Sequence, residues 1–190
     1  MATTSYSLGC SKISCKNNGL IVPGSLLHRR IKHRVLLHPT SQAPDRIWPA
    51  EKFLEVASWL ENEGFLPVFA VAPHERDEWL NKTNGRFAVP LFLSLAEFAS
   101  FAFESGFLIG NDSSLGHLCS NLQIPTVILS QKKRHILLWR PGWYRGEIVT
   151  PASWIPNFKG TRLREKKWKR WIQPKHVIRK FKKLLSKESF

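Results

Sequence analysis

An acid, two hydroxyls and an imidazole stand close together in Phe107-Leu108-Ile109-Gly110-Asn111-Asp112-Ser113-Ser114-Leu115-Gly116-His117. The segment reads as a buried strand that passes through a Gly turn into a helix. In an open α/β sheet, ligands bind in the crevice at the carboxyl ends of the strands. The start of the following helix adds unpaired N–H groups and a positive dipole end, which suit a phosphate. The residue types therefore point to a phosphate-bearing ligand whose other end meets polar side chains.

A second segment carries matching chemistry. Val35-Leu36-Leu37-His38-Pro39-Thr40-Ser41 is a strand that ends in small hydroxyl residues, Thr40 and Ser41. Asp45-Arg46-Ile47-Trp48-Pro49 follows closely. Pro49 suits the first helical position, where its missing N–H costs nothing. Arg46 thus falls on a short loop between a strand end and a helix start. A guanidinium there can meet a diphosphate with bidentate geometry.

Together the segments resemble the carboxyl-terminal, donor-binding half of the heptosyltransferase family of glycosyltransferases (family 9). The residues that carry the resemblance are His38-Pro39-Thr40-Ser41, Arg46-Ile47-Trp48-Pro49, Ile109 to His117 and Pro125-Thr126-Val127, in the family's order and spacing. The resemblance spans roughly residues 34 to 145. It implies a GT-B architecture of two Rossmann-like domains, with the nucleotide-sugar donor, an ADP-heptose, on the carboxyl-terminal one. It also implies a lipopolysaccharide-type acceptor and a general-base carboxylate on the amino-terminal domain. Only about thirty residues precede the first recognisable strand, so the base is expected outside this chain, on a complementary amino-terminal chain. No residue here is assigned a catalytic role. Ser114 departs from the pattern, because the family has Gly there and a side chain can crowd the diphosphate.

The resemblance gives each polar residue a role, and each also has a plainer one. Asp112 accepts hydrogen bonds from sugar hydroxyls, or caps the helix, a job worth ~1 kcal/mol. Ser113 and Ser114 contact the diphosphate, or cap. His117 touches the donor, or packs on the sheet against a backbone carbonyl. Arg46 pairs with the diphosphate and stabilises the leaving nucleotide as charge builds up, or is a solvated loop arginine. Glu75 faces the nucleoside, or is an acid in a first helical turn favoured by the dipole. No second ligand stands at a metal-binding distance in sequence from His117, and no metal or cofactor is expected.

Alternating elements must hold these residues. Strands are expected over 34–38, 66–72, 87–90, 107–110 and 125–130. Helices are expected over 49–63, 74–81, 94–104 and 113–122. Phe53, Val56, Ala57 and Leu60 recur at helical spacing. Gly64 stops that helix, and Ser94-x-x-Glu97 is a capping-box pattern. The alternation predicts an α/β, Rossmann-like parallel sheet with helices on both faces. From 131 to about 154 the pattern loosens, and a loop over the crevice is expected there, including Lys132-Lys133-Arg134 and Trp139-Arg140-Pro141. A helix near 174–186 closes the chain, with Val177, Ile178, Phe181, Leu184 and Leu185 on its apolar face.

Charge divides the chain unevenly. The net charge is +15, and residues 159–190 hold thirteen Lys or Arg against Glu165 and Glu188. Three regions follow: 1–33, a disordered arm or linker; 34–158, the nucleotide-sugar-binding domain; 159–190, a basic tail with an amphipathic helix. In the tail, Trp168 and Trp171 stand among cations. That mixture suits an anionic membrane surface, a nucleic acid, or a solvated tail. With the resemblance, a cytoplasmic location on the inner face of the cytoplasmic membrane is expected. A non-catalytic remnant or a polyanion-binding module remains the alternative function. Three cysteines, Cys10, Cys15 and Cys119, form no disulfide framework, which fits a reducing compartment. No apolar run approaches the ~20 residues of a membrane span.

Overall fold

The computed structural model describes residues 19–131, 136, 141–152, 155 and 167–188. Cys10, Cys15, Lys132-Lys133-Arg134, Trp139-Arg140, Trp154 and Arg164-Glu165-Lys166 lie outside these residues.

Five strands form one parallel sheet: β1 (Ile31–His38), β2 (Leu66–Phe69), β3 (Ser105–Asn111), β4 (Thr126–Leu129) and β5 (Gly146–Val149). Their order is β2-β1-β3-β4-β5. The chain reverses its direction of travel across the sheet between β1 and β3. That reversal is the topological switch point where ligands bind in open sheets. Among the described residues the helices are α1 (Ala50–Asn62), α2 (Arg76–Thr83), α3 (Leu95–Phe103), α4 (Ser114–Asn121), α5 (Trp168–Trp171) and α6 (Pro174–Leu185). This is the α/β, Rossmann-like arrangement with both faces covered that the alternation predicts.

Side chains on a strand alternate between faces, and the core divides accordingly. Val35, Leu37, Phe107, Ile109 and Val127 face Phe53, Val56, Ala57 and Leu60 of α1 and Val177, Phe181 and Leu184 of α6. Leu36, Leu108 and Ile128 face Phe98 and Ala102 of α3 and Cys119 of α4. Burial pushes the Cys119 thiol up to about 12, so it stays protonated. No helix among the described residues is long and apolar enough to cross a membrane.

Two glycines allow close approaches beside the switch point. A Cβ on Gly110 would meet the Cβ and carbonyl oxygen of His38, each at 3.0 Å. A Cβ on Gly116 would meet Ile128 Cδ1 at 2.8 Å, so α4 rests directly on β4. Gly116→Val forces the helix off the sheet. The expected cost is ~1–3 kcal/mol, read as a fall in the thermal midpoint. An unchanged midpoint would mean that the seat of α4 is not tight.

Several expectations need correction. The loop expected over 131–154 contains β5. Its Glu147 is 7% exposed and is held by Lys180, Lys183 and Lys187 at 2.9, 3.0 and 2.9 Å. Burial pushes this carboxyl up, but hydrogen bonds from the three lysines together outweigh it and bring it down to about 2. The strand expected over 87–90 is a single bridge between Val68 and Ala88. Pro49 stands just before the first helical residue, in an extended conformation, with its carbonyl accepting from the N–H groups of Lys52 and Phe53.

The region set apart by its charge is not apart in packing. Trp168 is 1% exposed, and Phe181 is fully buried against Trp59, Phe65 and Phe107. Trp168 is thus unavailable to a membrane or a nucleobase, whereas Trp171 is partly exposed.

A cleft at the sheet switch point

A cleft of about 910 Å³ opens where β1 and β3 end. Thr40 and Ser41 leave β1 on one side, and Asp112, Ser113 and Ser114 leave β3 on the other. Arg46 and Glu75 complete the polar lining expected from sequence. Seven of the eight candidate residues thus share one cavity. His117 is the exception: it sits half-buried within α4 and does not line the cleft.

The cap of α4 differs from the expectation for Asp112. The backbone of β3 continues its ladder one residue further, because the Asp112 N–H donates to the Leu129 carbonyl at 3.0 Å. The cap position therefore falls to Ser113, which is extended, and its side chain makes no capping bond. The Ser113 Oγ is buried without a hydrogen-bond partner among the described residues. A buried hydroxyl without a partner costs free energy, and here it stands at a helix start that leaves N–H groups unsatisfied. The Asp112 carboxylate instead accepts a long hydrogen bond, 3.4 Å, from Ser130 Oγ. Ser114 is exposed at the first position of α4.

The cationic side of the cleft rests on a short turn. Pro44–Arg46 forms one 3-10 turn, and Arg46 is exposed with no ionic or hydrogen-bond partner for its guanidinium among the described residues. Distant residues brace the turn. Trp168 Nε1 donates to the Asp45 carbonyl at 2.8 Å, and Lys169 Nζ donates to the Pro44 carbonyl at 2.8 Å. Trp48 Nε1 donates to the Ile172 carbonyl at 3.1 Å, and Lys52 Nζ donates to the carbonyls of Lys169 and Ile172 at 2.7 and 2.8 Å. The Asp45 carboxylate accepts from Gln131 Nε2 at 3.0 Å.

Glu75 turns one carboxylate oxygen back onto the Ala72 N–H at 2.9 Å, closing the 3-10 turn Pro73–Glu75. Its plainer role as an acid at a helical turn is therefore occupied, while the residue also lines the cleft.

Three features were not singled out from the sequence. Asn111, fully buried, joins the two sides of the site. Its Oδ1 accepts from the Trp48 N–H at 3.2 Å and its Nδ2 donates to the Pro39 carbonyl at 2.8 Å. His38 lines the cleft floor, and its Nδ1 donates to the Ala70 carbonyl at 2.8 Å. Burial pushes its pKa down, more than the Ala70 bond and Glu75 raise it, so the ring is neutral and Nε2 is an acceptor. Phe92 and Phe98 give the cleft an apolar wall. The run Leu91-Phe92-Leu93 before the Ser94 cap was the available signal for that wall. Ser94 does cap α3, accepting from the Glu97 N–H at 3.1 Å.

Hydroxyls, a helix start and a cation on one side, with an apolar wall on the other, suit a ligand that joins phosphate to a flat organic group. Among the described residues no group of three or more His, Cys, Asp or Glu is placed to hold a metal ion.

Solved structures share this fold. The E. coli heptosyltransferase WaaC with ADP aligns at a TM-score of 0.63 and 17% identity, over 84% of this chain and 46% of that one. The family 9 glycosyl transferase of Veillonella parvula DSM 2008 aligns at 0.67 and 20%, over 82% and 46%. The E. coli ADP-heptose lps heptosyltransferase II aligns at 0.64 and 17%, over 86% and 49%. The chain thus spans about half the length of the solved structures it matches. No curated protein matches it in sequence. The family model of glycosyltransferase family 9 (heptosyltransferase) matches residues 12–147, most of the chain and nearly all of the sheet. With the motifs at both ends of the cleft, that match makes the chain a member of glycosyltransferase family 9, the heptosyltransferases.

Proposed function

We propose that the cleft binds the nucleotide diphosphate of an ADP-sugar donor, an ADP-heptose, for transfer to a lipopolysaccharide-type acceptor. The observation that carries this reading is the buried Ser113 hydroxyl at the start of α4, on the same cleft as Arg46, both without a partner among the described residues. A diphosphate supplies acceptors for both. Two structural neighbours, WaaC with ADP and WaaC with ADP-2-deoxy-2-fluoro heptose, hold ligands of this class. The apolar wall at Phe92 and Phe98 suits the nucleoside. In this reading Asp112, on the same cleft, accepts from the sugar hydroxyls, and Ser114 meets the diphosphate.

In glycosyl transfer an acceptor hydroxyl attacks the anomeric carbon. The bond from that carbon to the diphosphate breaks, the nucleotide leaves with the electron pair, and a base takes the hydroxyl proton. Arg46 answers the charge that grows on the leaving group. The base comes from a complementary amino-terminal domain or chain. The carboxylates on this cleft, Glu75 and Asp112, are already engaged with Ala72 and Ser130. The reading carries a location with it, at the inner face of the cytoplasmic membrane where such acceptors are assembled.

Calorimetric titration with ADP and an ADP-sugar tests the donor site. Saturable binding is expected, weakened about ten- to a hundredfold in Arg46→Ala, the size of one lost charge-assisted contact. Absent binding at low salt, or equal affinity in the variant, would overturn it.

A further inference from the structure

Helix α6 has a second face. Val177, Phe181 and Leu184 enter the core, while Lys175, Arg179, Lys182 and Lys183 are exposed. Spacings of four and three to four residues put these cations on one stripe. The helix is held by its packed face, so the stripe is presented on a fixed support.

A groove of about 780 Å³ runs between this helix and the edge strand β5. Five cations line it, Lys175, Arg179, Lys180, Lys183 and Lys187, against one carboxylate, Glu147. That carboxylate is already taken by Lys180, Lys183 and Lys187. Lys175 and Arg179 have no acidic partner among the described residues, and Lys182 meets the exposed Glu63 at 4.0 Å and lies over the Trp59 ring, 5.1 Å from its centroid. Trp171, 38% exposed, stands at the same groove, which also carries the apolar side chains Ile148, Ala152 and Ile155.

We propose that the outward face of α6, with Trp171 at its border, is a docking surface for an anionic lipid bilayer. The proposal rests on the charge and exposure of this face and is independent of what the cleft holds. A row of cations on one rigid face matches a charged plane. Each basic residue brought near such a plane strengthens binding about fivefold. An indole belongs at the boundary between headgroups and acyl chains. A single-stranded nucleic acid is the weaker match, because it needs successive rings on which to stack. Apart from His176, Trp171 is the one aromatic among the groove's described lining.

The test is co-sedimentation of the full chain with two kinds of vesicle: phosphatidylcholine alone, and phosphatidylcholine mixed with phosphatidylglycerol. Partition into the mixed vesicles alone is expected, falling as salt is added. The triple variant K175E/R179E/K182E is expected to lose at least about tenfold in that partition. None of the three side chains touches Glu147, and Lys182 gives up only its pairing with Glu63 and its place over the Trp59 ring, so the melting temperature is expected to fall by no more than a few degrees. ADP titration of the same samples separates the two readings: vesicle binding that persists without ADP binding supports this one and removes the donor site. Equal partition of variant and parent, absence of partition into the mixed vesicles, or tighter stripe-dependent binding to an RNA homopolymer overturns it.

Discussion

Phe181→Ala lowers the thermal midpoint by roughly 10 °C, following a loss of ~3–5 kcal/mol. Phe181 is fully buried, and its ring meets those of Phe107, Phe65 and Trp59 with centroids at 5.1, 5.3 and 6.1 Å, all edge to face. Such pairs add to simple area burial. Truncation removes the ring from between α1 and the middle of the sheet and leaves a cavity lined by Trp59, Phe65 and Phe107. Against a total stability of ~5–15 kcal/mol the loss is large. Differential scanning calorimetry of parent and variant measures it. A shift below about 2 °C would mean that α6 is a solvated appendage after all.

Glu147→Gln is expected to cost ~2 kcal/mol at neutral pH and almost nothing in acid. The parent carboxyl titrates at about 2 in the folded protein, against ~4.3 when unfolded. A folded value below the unfolded one means that the group stabilises the protein above the unfolded value. That contribution fades as pH falls from about 5 toward 2. The full shift is worth ~3 kcal/mol, and the half-exposed Lys183 and Lys187 reduce it by screening. Glutamine keeps the shape and loses the charge. Urea melts of both proteins between neutral pH and pH ~2.5 should therefore converge as the medium becomes acidic. Parallel curves, with the same gap at every pH, would show that the charge of Glu147 is not what stabilises the strand.

What could be read from the sequence was local. Phe107 to Gly110 is continuously apolar, so a buried strand was legible there, whereas the equally apolar run at 66–72 gave no sign that its strand is at the sheet edge. His38-Pro39 and Arg46-Ile47-Trp48-Pro49 marked the ends of elements, and with them the place of the cleft. What could not be read depends on partners far along the chain. β5 has four residues, one of them a buried acid, which argues against a core strand until three lysines 33 to 40 positions later are brought beside it. Asp112 looked like the cap of α4 because of its residue type, yet a backbone bond to Leu129 carries the strand past it. Trp168 sits among cations in sequence and inside the core in space, because its indole N–H finds the Asp45 carbonyl. Asn111 carries no pattern of its own, and its clamp on Pro39 and Trp48 exists only once β1 and β3 are neighbours.

The bracing of the Arg46 turn sets an order in time. Its supports, Trp168 on Asp45 and Lys169 on Pro44, come from 123 and 125 positions further on. At a synthesis rate of ~5–20 residues per second, the turn emerges roughly 6–25 s before the side chains that hold it. During that interval the sheet can assemble strand by strand while the Arg46 turn is still without its braces. The cation that faces the cleft is therefore among the last parts of the molecule to be fixed, and it is the carboxyl-terminal helices rather than the sheet that fix it.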